Sequence, residues 1–472
     1  MQAQPMSLQE AIEQARTGSV EAVRARQAFV SSYWAWRSYK ASMLPSFTLY
    51  GNVGNYNRSL TLLQLPDDGS MKYVSTNNLQ NSIGLRASQN ISFTGGTLQV
   101  YSDLNRIDQL GVSKAVTWYT QPITISYNQP LFAYNSFKWD KLIQPKEYEK
   151  GRREYLTAME KVAESAVKAY FSLLLVQRQW ETACSNYADS RRLLDVAGER
   201  SRLGTAQRDE YLQLELRLLN DSLAINQNLI KVRETQMALN SLLGQDESQE
   251  VEPILEEEIP SVYIDYEEVL DRAYANSPYQ LEHEIQLLQA KSTVARAMAS
   301  RGLSMSLNAR FGLSNSGITL PEAFLNPLDQ EVVGLSFSIP LFDWGEGNGR
   351  IQKAKAAEEV VKAQVRQDDN DYRRKIYSKV GQFNNQRNQC LVSKRASEIA
   401  AERYSLLMDR FSTGNATVME LNDARSAKDA AMEQYIRDVS SFWQEYYSLR
   451  RETLYDFISG MELEVQDNEL ID

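Results

Sequence analysis

The two halves of this chain repeat one pattern, and this duplication limits the possible folds more than any other feature of the sequence. Residues 8–12 (LQEAI) match residues 266–270 (YEEVL) in pattern at an offset of 258 positions. Farther along, residues 125–132 match residues 335–342 at an offset of 210 positions. Matches that keep to two constant offsets indicate a duplicated plan. The first half carries 48 additional residues, which lie between Gly54 and Pro130.

Each half contains a very long stretch without helix breakers. Residues 146–203 contain no proline and only two glycines, and apolar residues recur there at helical spacing. As one helix, this stretch would be roughly 85–90 Å long, and residues 351–412 repeat it. Further helices are predicted at residues 20–42, 209–243, 279–300 and 418–458. An opening helix and a returning helix together are about as long as the long helix. These lengths predict a tube wall of even height, whose apolar stripes pack against partner copies.

Short segments between the helices alternate apolar and small polar residues. The apolar positions are Phe47, Leu49, Val53, Ile123, Ile125, Tyr127, Leu335, Phe337 and Ile339. Such alternation is typical of a strand with lipid on one side and water on the other, and it is equally typical of a soluble β-sandwich. So few strands, joined to such long helices, could not close a soluble core, and this favours a membrane barrel.

Composition excludes several classes of function. The net charge is −10 and the isoelectric point is near 5.1, whereas a nucleic-acid-binding protein would carry a basic face. One histidine, His283, and two cysteines, Cys184 and Cys390, leave no constellation for an enzyme, a metal site or a cofactor. The cysteines are predicted to be free. We expect no transmembrane helix, because no apolar run reaches about 18 residues, and no signal peptide, because residues 1–5 lack a basic start and an apolar segment.

Four motifs, taken in order, resemble the TolC family of outer membrane factors, the trimeric exit ducts of Gram-negative efflux pumps and secretion systems. They are residues 8–12, residues 44–46 (LPS), residues 339–345 (IPLFDWG) and residues 410–421 (RFSTGNATVMEL). The resemblance covers nearly the whole chain. It implies an α+β membrane protein in which a trimeric outer-membrane β-barrel continues into a long periplasmic α-helical barrel with a mixed equatorial belt. The usual plan has four strands per protomer.

The predicted organisation has two structural repeats. The first spans residues 1–245, with barrel strands at about 45–129, and the second spans residues 265–460, with barrel strands at about 304–339. An acidic linker, 246–264, joins them, and an acidic tail follows at 461–472. The additional residues of the first half predict a hairpin at about 82–107 that turns at Gly95 and Gly96. Either this hairpin adds two strands to the barrel, or it folds elsewhere, for example over the rim.

Two glycines mark the predicted tips where the long helices reverse. Gly204 and Gly414 each occupy a position that suits a positive φ angle. The resemblance implies that these tips dock a periplasmic adaptor protein, and the docking set comprises Arg200, Gly204, Thr205, Arg410, Gly414 and Asn415. The simpler interpretation is an ordinary turn between two helices.

Acidic residues follow each tip. Glu420 and Asp423 are three residues apart and therefore share one helix face, and Asp209 and Glu210 are their counterparts in the first half. The resemblance implies that these acids line the closed periplasmic aperture. In a trimer, Glu420 and Asp423 would place six carboxylates around one axis, a ring that favours cations. The alternative is stabilisation of a helix N-terminus by negative charge.

The sequence therefore predicts a passive exit duct of a tripartite efflux pump or type I secretion system. Its expected partners are two further copies of the chain, a periplasmic adaptor, outer membrane lipid and, indirectly, an inner-membrane transporter. The alternative is a structural or adhesive coiled-coil rod of the cell envelope, which long helices alone would also fit. The alternating strands between the helices distinguish the two, because a rod does not need them.

Overall fold

The computed structural model describes residues 4–64, 69–110, 114–202, 208–256, 258–413 and 415–465. The chain divides into two compact units. The helical unit comprises Met1–Ser32, Glu149–Leu281 and Arg366–Asp472, and the sheet unit comprises Tyr33–Tyr148 and Glu282–Val365. Several helices begin in one unit and continue into the other, so each unit is described by itself.

The described residues form eight α-helices. They are α1 (Leu8–Gly18), α2 (Val20–Ser42), α3 (Ser136–Arg202), α4 (Arg208–Leu243), α5 (Tyr266–Asn276), α6 (Pro278–Arg301), α7 (Glu346–Ser412) and α8 (Val418–Thr453). They also form ten strands: β1 (Gln4–Met6), β2 (Ser46–Gln64), β3 (Met71–Ile91), β4 (Gly96–Gln109), β5 (Ala115–Leu131), β6 (Val251–Pro253), β7 (Ser304–Gly317), β8 (Leu328–Ser338), β9 (Tyr455–Asp456) and β10 (Met461–Glu462).

The two halves contain helices of matched length. Helices α3 and α7 have 67 residues each, which corresponds to roughly 100 Å. Helices α4 and α8 have 36 residues each, and α1 and α5 have 11 each. None of the described helices is both long enough and apolar enough to cross a membrane.

Three helix boundaries differ from the sequence prediction by several residues. Helix α7 begins at Glu346, before the predicted residue 351. Helix α3 begins at Ser136 and continues through Pro145, which costs it one backbone hydrogen bond. Directly after Pro145, Lys146 forms an ion pair with Glu284 on α6 at 2.6 Å, a tertiary contact within the sheet unit. Helix α8 ends earlier than predicted, because Leu454 adopts a left-handed φ of 48°.

Equivalent caps begin the short helices of the two halves. The hydroxyl of Ser7 accepts a hydrogen bond from the backbone N–H of Glu10, and the Glu10 carboxylate accepts one in return from the Ser7 N–H. Asp265 caps α5 by accepting from the N–H groups of Glu267 and Glu268. These caps set where α1 and α5 begin. The extended backbone of Ser19 and Ser277 separates them from α2 and α6, and the sequence analysis did not predict these two short helices.

The core of the helical unit is rich in aromatic residues. Tyr170, Phe383, Phe442 and Tyr446 are almost fully buried in one continuous apolar cluster. The Tyr170 hydroxyl oxygen lies 2.9 Å from the Met6 carbonyl and 2.7 Å from the Ile254 carbonyl, and it accepts a hydrogen bond from the Ile254 N–H. It therefore fixes the parallel pair of β1 and β6 against α3.

The sheet unit contains one six-stranded antiparallel sheet with the order β2-β3-β4-β5-β7-β8. Strands β3 and β4 form the hairpin that contains residues 82–107. Ser82 pairs with Asn105, and the turn lies at residues 92–95, where Gly95 has a φ of 77°. The sheet therefore has six strands where the resemblance implies four, and in the described residues it is open, with β2 and β8 as its edges.

The strand register separates a polar face from an apolar face. The polar face carries Thr48, Tyr50, Arg86, Tyr101, Asp103, Ser126, Asn128, Asn308, Arg310 and Ser336. The opposite face carries Phe47, Leu49, Leu85, Val100, Ile125, Phe311, Leu335 and Phe337. The apolar side chains are largely open in one copy, with Leu49 71% exposed and Phe337 70% exposed. The predicted alternation is confirmed for these strands, except that Ile339 follows the end of β8.

Candidate aperture and docking site

The second predicted tip joins α7 to α8 in the helical unit. The Arg410 carbonyl accepts a hydrogen bond from the Asn415 N–H at 2.8 Å, and the Arg410 guanidinium donates to the Asn415 carbonyl at 3.0 Å. The Asn415 side-chain amide donates to the Thr413 hydroxyl at 3.1 Å. Arg410 and Asn415 therefore hold the turn together. Gly204, Thr205 and Gly414 lie outside the described residues.

Glu420 belongs to the cap of α8. Its backbone N–H donates to the Thr417 hydroxyl, and its carboxylate accepts from the Thr417 N–H at 2.8 Å and from the hydroxyl at 2.9 Å. The backbone N–H and then the hydroxyl of Thr417 hold the pKa of this carboxyl below its usual range, and the charge of Arg410 adds to the effect. In one copy, the geometry of Glu420 matches the local alternative, stabilisation of a helix N-terminus.

Asp423 lies one turn farther along α8 and has a different partner. The Arg403 guanidinium on α7 donates to its carboxylate at 2.9 Å. Both side chains remain largely exposed, at 51% for Arg403 and 69% for Asp423. The pair therefore joins the two helices that meet at the tip through an interaction that solvent screens.

The first-half residues make weaker contacts. The Arg200 guanidinium lies 3.8 Å from the Glu210 carboxylate, and its carbon lies 5.9 Å from the centre of the Phe411 ring. Asp209 accepts a hydrogen bond from the Gln213 side chain at 2.7 Å. Arg200 therefore connects the end of α3 both with the start of α4 and with the end of α7, so the two predicted tips share a contact.

A buried ion pair lies farther from the tips. Arg425 on α8 is buried, and its guanidinium donates to Asp221 on α4 at 2.6 Å and to the Ser190 hydroxyl on α3 at 3.0 Å. The Ser190 hydroxyl in turn donates to Asp221 at 2.5 Å. Three helices are held by this one arginine, and its charge is matched within the network.

The apolar layer beside these contacts is small. It comprises Leu193, Ala197, Leu214, Tyr404, Leu407, Phe411, Val418, Leu421 and Ala424. The Tyr404 hydroxyl donates to Asp189 on α3 at 3.1 Å, and burial raises the pKa of this phenol. Polar contacts between helices therefore support the packing near the tips.

The sequence analysis did not identify Arg403, Asp221 or Arg425. Arg403 and Asp423 lie equally far from Thr413, on opposite sides of the turn, as do Arg200 and Glu210 from position 205. In two antiparallel helices joined by a short turn, residues equidistant from the turn lie side by side. This rule, applied to oppositely charged residues, could have found both pairs. Arg217, four residues before Asp221 and 3.9 Å from it, is a local signal, but the hydrogen-bond partners of Asp221 come from two other helices and no local pattern marks them.

The geometry gives each predicted aperture acid a partner within one copy. Glu420 is held by Thr417, Asp423 by Arg403, Glu210 by Arg200, and Asp209 by Gln213. Glu420 and Asp423 therefore take separate partners. The Arg403–Asp423 pair and the Arg200–Glu210 pair are the contacts that a change at the tips would break most readily, because they are exposed or long.

Known proteins share this fold. Residues 269–452 match the model of the family described as outer membrane efflux protein. The outer-membrane channel OprN is 15% identical, with 94% of this chain and 89% of that chain covered and a TM-score of 0.66. The outer membrane protein VceC from Vibrio cholerae is 14% identical, with 97% of each chain covered and a TM-score of 0.65. The CmeC outer membrane channel from Campylobacter jejuni is 14% identical, with 98% of this chain and 88% of that chain covered and a TM-score of 0.66. No curated protein sequence matches the chain.

Proposed function

We propose that this chain, whose resemblance to the TolC family of outer membrane factors is confirmed by the family match and the shared fold, forms an outer membrane exit duct as a homotrimer. Cargo would pass through it passively, from an inner-membrane transporter and a periplasmic adaptor to the outside. The observation that carries the proposal is the two-faced sheet. One face is polar, and the other exposes large apolar side chains such as Leu49 and Phe337. Lipid would cover the apolar face and cargo would pass along the polar one.

An open apolar stripe on α4 supports the homotrimer. It comprises Leu212, Leu216, Leu219, Leu223, Ile230 and Met237, all exposed in one copy. Their spacings of three, four and seven residues follow the heptad seam of a coiled coil. Asp221, on the opposite side of the helix, is buried within the same copy. We therefore assign the stripe to packing against a neighbouring copy.

The tips and their acids complete the proposal. Adaptor docking is assigned to Arg200, Gly204, Thr205, Arg410, Gly414 and Asn415, and the aperture to Glu420, Asp423, Asp209 and Glu210. The exposed Arg403–Asp423 pair supports an aperture that opens, because its rupture costs little and releases one carboxylate per copy. Efflux and type I secretion are both compatible with such a duct.

Reconstitution tests the channel. The purified chain in planar lipid bilayers is expected to give discrete conductance steps, and its mass in detergent should be that of three copies. A structural rod would give a monomer or dimer and a silent bilayer, and either result would overturn the duct.

A charge placed in the α4 stripe tests the trimer separately. Leu216→Lys with Leu223→Lys should abolish the trimer, because two buried ammonium groups per copy have no partner across a helix seam. Ser222→Lys adds the same kind of charge at an exposed position of α4 to the side of the stripe and should leave the trimer intact. A stable trimer of the double variant would remove the stripe from the interface.

A further inference from the structure

We infer that three copies join their six-stranded sheets edge to edge, β8 of one copy with β2 of the next, into a single eighteen-stranded barrel. The partner at each edge is a second copy of this chain. The inference rests on the proposed channel and goes beyond it, since it fixes the strand number and therefore the width of the pore. It decides between the two alternatives that the sequence left open for the additional hairpin.

The hairpin is an integral part of the sheet. Strand β3 pairs with β2 from Ser46↔Ser88 to Gln64↔Met71, with one irregularity between Asn52 and Asn55. Strand β4 pairs with β5 from Thr97↔Asn128 to Gln109↔Ala115. Strands β2 and β5 are therefore separated by two complete strands. A rim-folded hairpin would instead leave β2 and β5 as neighbours.

The two edge strands have the directions and the alignment that pairing between copies requires. Six is an even number, so in an all-antiparallel sheet β2 and β8 run in opposite directions, and their pairing continues the alternation. Ser46 and Ser338 lie at the same end of the sheet, where the strands connect to helices. In lipid, the backbone N–H and C=O groups of an open edge have no water to bind, so both edges require a strand partner.

The polar face remains continuous through the additional strands. The Tyr50 hydroxyl on β2 donates to the Asp103 carboxylate on β4, and the Arg86 guanidinium on β3 lies 4.5 Å from the centre of the Tyr50 ring. This cluster belongs to the face that carries Asn308 and Arg310 on β7. The added strands therefore contribute charged groups to the surface that would line the pore, and Leu85 and Val100 to the surface that lipid would cover.

The width of the pore follows from the strand number. With strands about 4.8 Å apart and tilted by about 40°, a closed barrel has a backbone radius of about 12 Å for twelve strands and about 18 Å for eighteen. The barrel would thus be about 1.5 times as wide as a four-strand plan allows. The additional hairpin serves to widen the exit.

Disulfide trapping in the full-length chain tests the strand order. In a Cys184→Ser, Cys390→Ala background, Gln99→Cys with Ser126→Cys should form a disulfide within each copy, because these residues are register partners on β4 and β5. Thr48→Cys with Ser126→Cys should form none, because β2 and β5 are about 14 Å apart. Thr48→Cys combined in turn with Gly334→Cys, Ser336→Cys or Ser338→Cys should give disulfide-linked dimers and trimers in at least one pairing.

Each other outcome overturns the inference. A disulfide between positions 48 and 126 would place the hairpin outside the barrel and leave twelve strands. The absence of any link between copies would mean that β2 and β8 do not meet. Electron microscopy of the trimer in lipid nanodiscs gives the strand count independently of the cysteines. Bilayer conductance of the same sample separates the failures: a conducting twelve-stranded trimer would overturn the wide barrel and keep the channel.

Discussion

Two charged clusters of the helical unit differ in burial, in the number of their ion pairs and in the apolar residues around them. In the first, the Glu160 carboxylate is only 3% exposed and lies between Arg16, at 2.5 Å, and Arg450, at 3.1 Å. Arg450 also pairs with Asp456 at 3.0 Å. In the second, at the tip, Arg403 and Asp423 form one pair in solvent. The first cluster cannot lose a member without leaving a buried charge, whereas the second can separate into water.

The two charged clusters also differ in the size of the apolar cluster beside them. The Glu160 cluster borders the large aromatic core that contains Tyr446 and Tyr447. Burial raises the pKa of Glu160 in spite of the charges of Arg16 and Arg450, which shows how strongly this carboxyl is desolvated. The tip has only the small layer around Phe411. Within the helical unit, the Glu160 cluster is therefore fixed, whereas the tip pair separates at low cost, as the proposed gated duct would require.

The largest loss of stability is expected from a substitution in the Glu160 cluster. Arg450→Met should destabilise the chain by about 3–5 kcal/mol, because it leaves Glu160 and Asp456 with fewer compensating charges in a buried site. Thermal unfolding of the purified protein measures this loss. Arg437→Met on the same helix is the matched control, since Arg437 pairs with the partly exposed Glu433 at 3.0 Å, and should cost about 1 kcal/mol or less. Equal effects at the two positions would remove the contrast.

A smaller loss of stability is expected when the buried Arg425–Asp221 pair, which lies nearer the tip, is broken. Arg425→Met should cost about 3 kcal/mol, because Asp221 and Ser190 keep each other but lose the cation that is hydrogen-bonded to both. Arg217→Met is the control, since Arg217 lies 3.9 Å from Asp221 and is less buried. Hydrogen exchange should rise in α4 and α8 near residues 221 and 425 for the first variant only. If Arg217→Met gives the same rise in hydrogen exchange, the burial of Arg425 does not determine the stability of this site.

The sequence predicted regular structure better than it predicted partners. Uninterrupted helical spacing predicted α7 to its last residue, and alternation predicted which residues of β2 and β8 share a face. These properties depend on neighbours along the chain. The buried partners of Asp221 and Glu160, Arg425 and Arg450, come from another helix, and no local pattern encodes such contacts. Strand β3 extends well before the predicted hairpin, because its pairing with β2 sets its length.

The exposed tip pair should matter for gating and little for stability. Arg403→Ala should change the stability by less than about 1 kcal/mol and raise both the open probability and the cation selectivity in planar bilayers, because it frees Asp423. Asp423→Asn should also raise the open probability but lower the cation selectivity, since it removes the charge itself. Arg395→Ala breaks an equally exposed pair with Glu398 within α7 and should change neither property. Shifts of selectivity in the same direction for the first two variants would exclude Asp423 from the aperture.

The smallest effect on stability is expected from substitutions of Glu420. This residue has two possible roles, as the cap of α8 and as a charge at the aperture, and two substitutions separate them. The pKa of Glu420 is lowered by the Thr417 N–H and hydroxyl, so the charged cap stabilises the start of α8 above the unfolded value of 4.5. This stabilisation is lost as the pH falls through the lowered pKa. Glu420→Gln keeps a capping box without the charge, so the start of α8 should lose this acid step and remain protected from hydrogen exchange at neutral pH.

Glu420→Ala removes both roles and should leave the start of α8 unprotected at every pH, measured as hydrogen exchange corrected for the intrinsic rate. If Glu420 serves only as a cap, Glu420→Gln leaves cation selectivity and block by multivalent cations at their original values. If it also lines the aperture, Glu420→Gln lowers both while protection persists, because a ring of three carboxylates disappears without any change in helix structure. Loss of selectivity in the alanine variant alone would assign the effect to the fold of the tip, and Asp423 would then be the only aperture acid of α8.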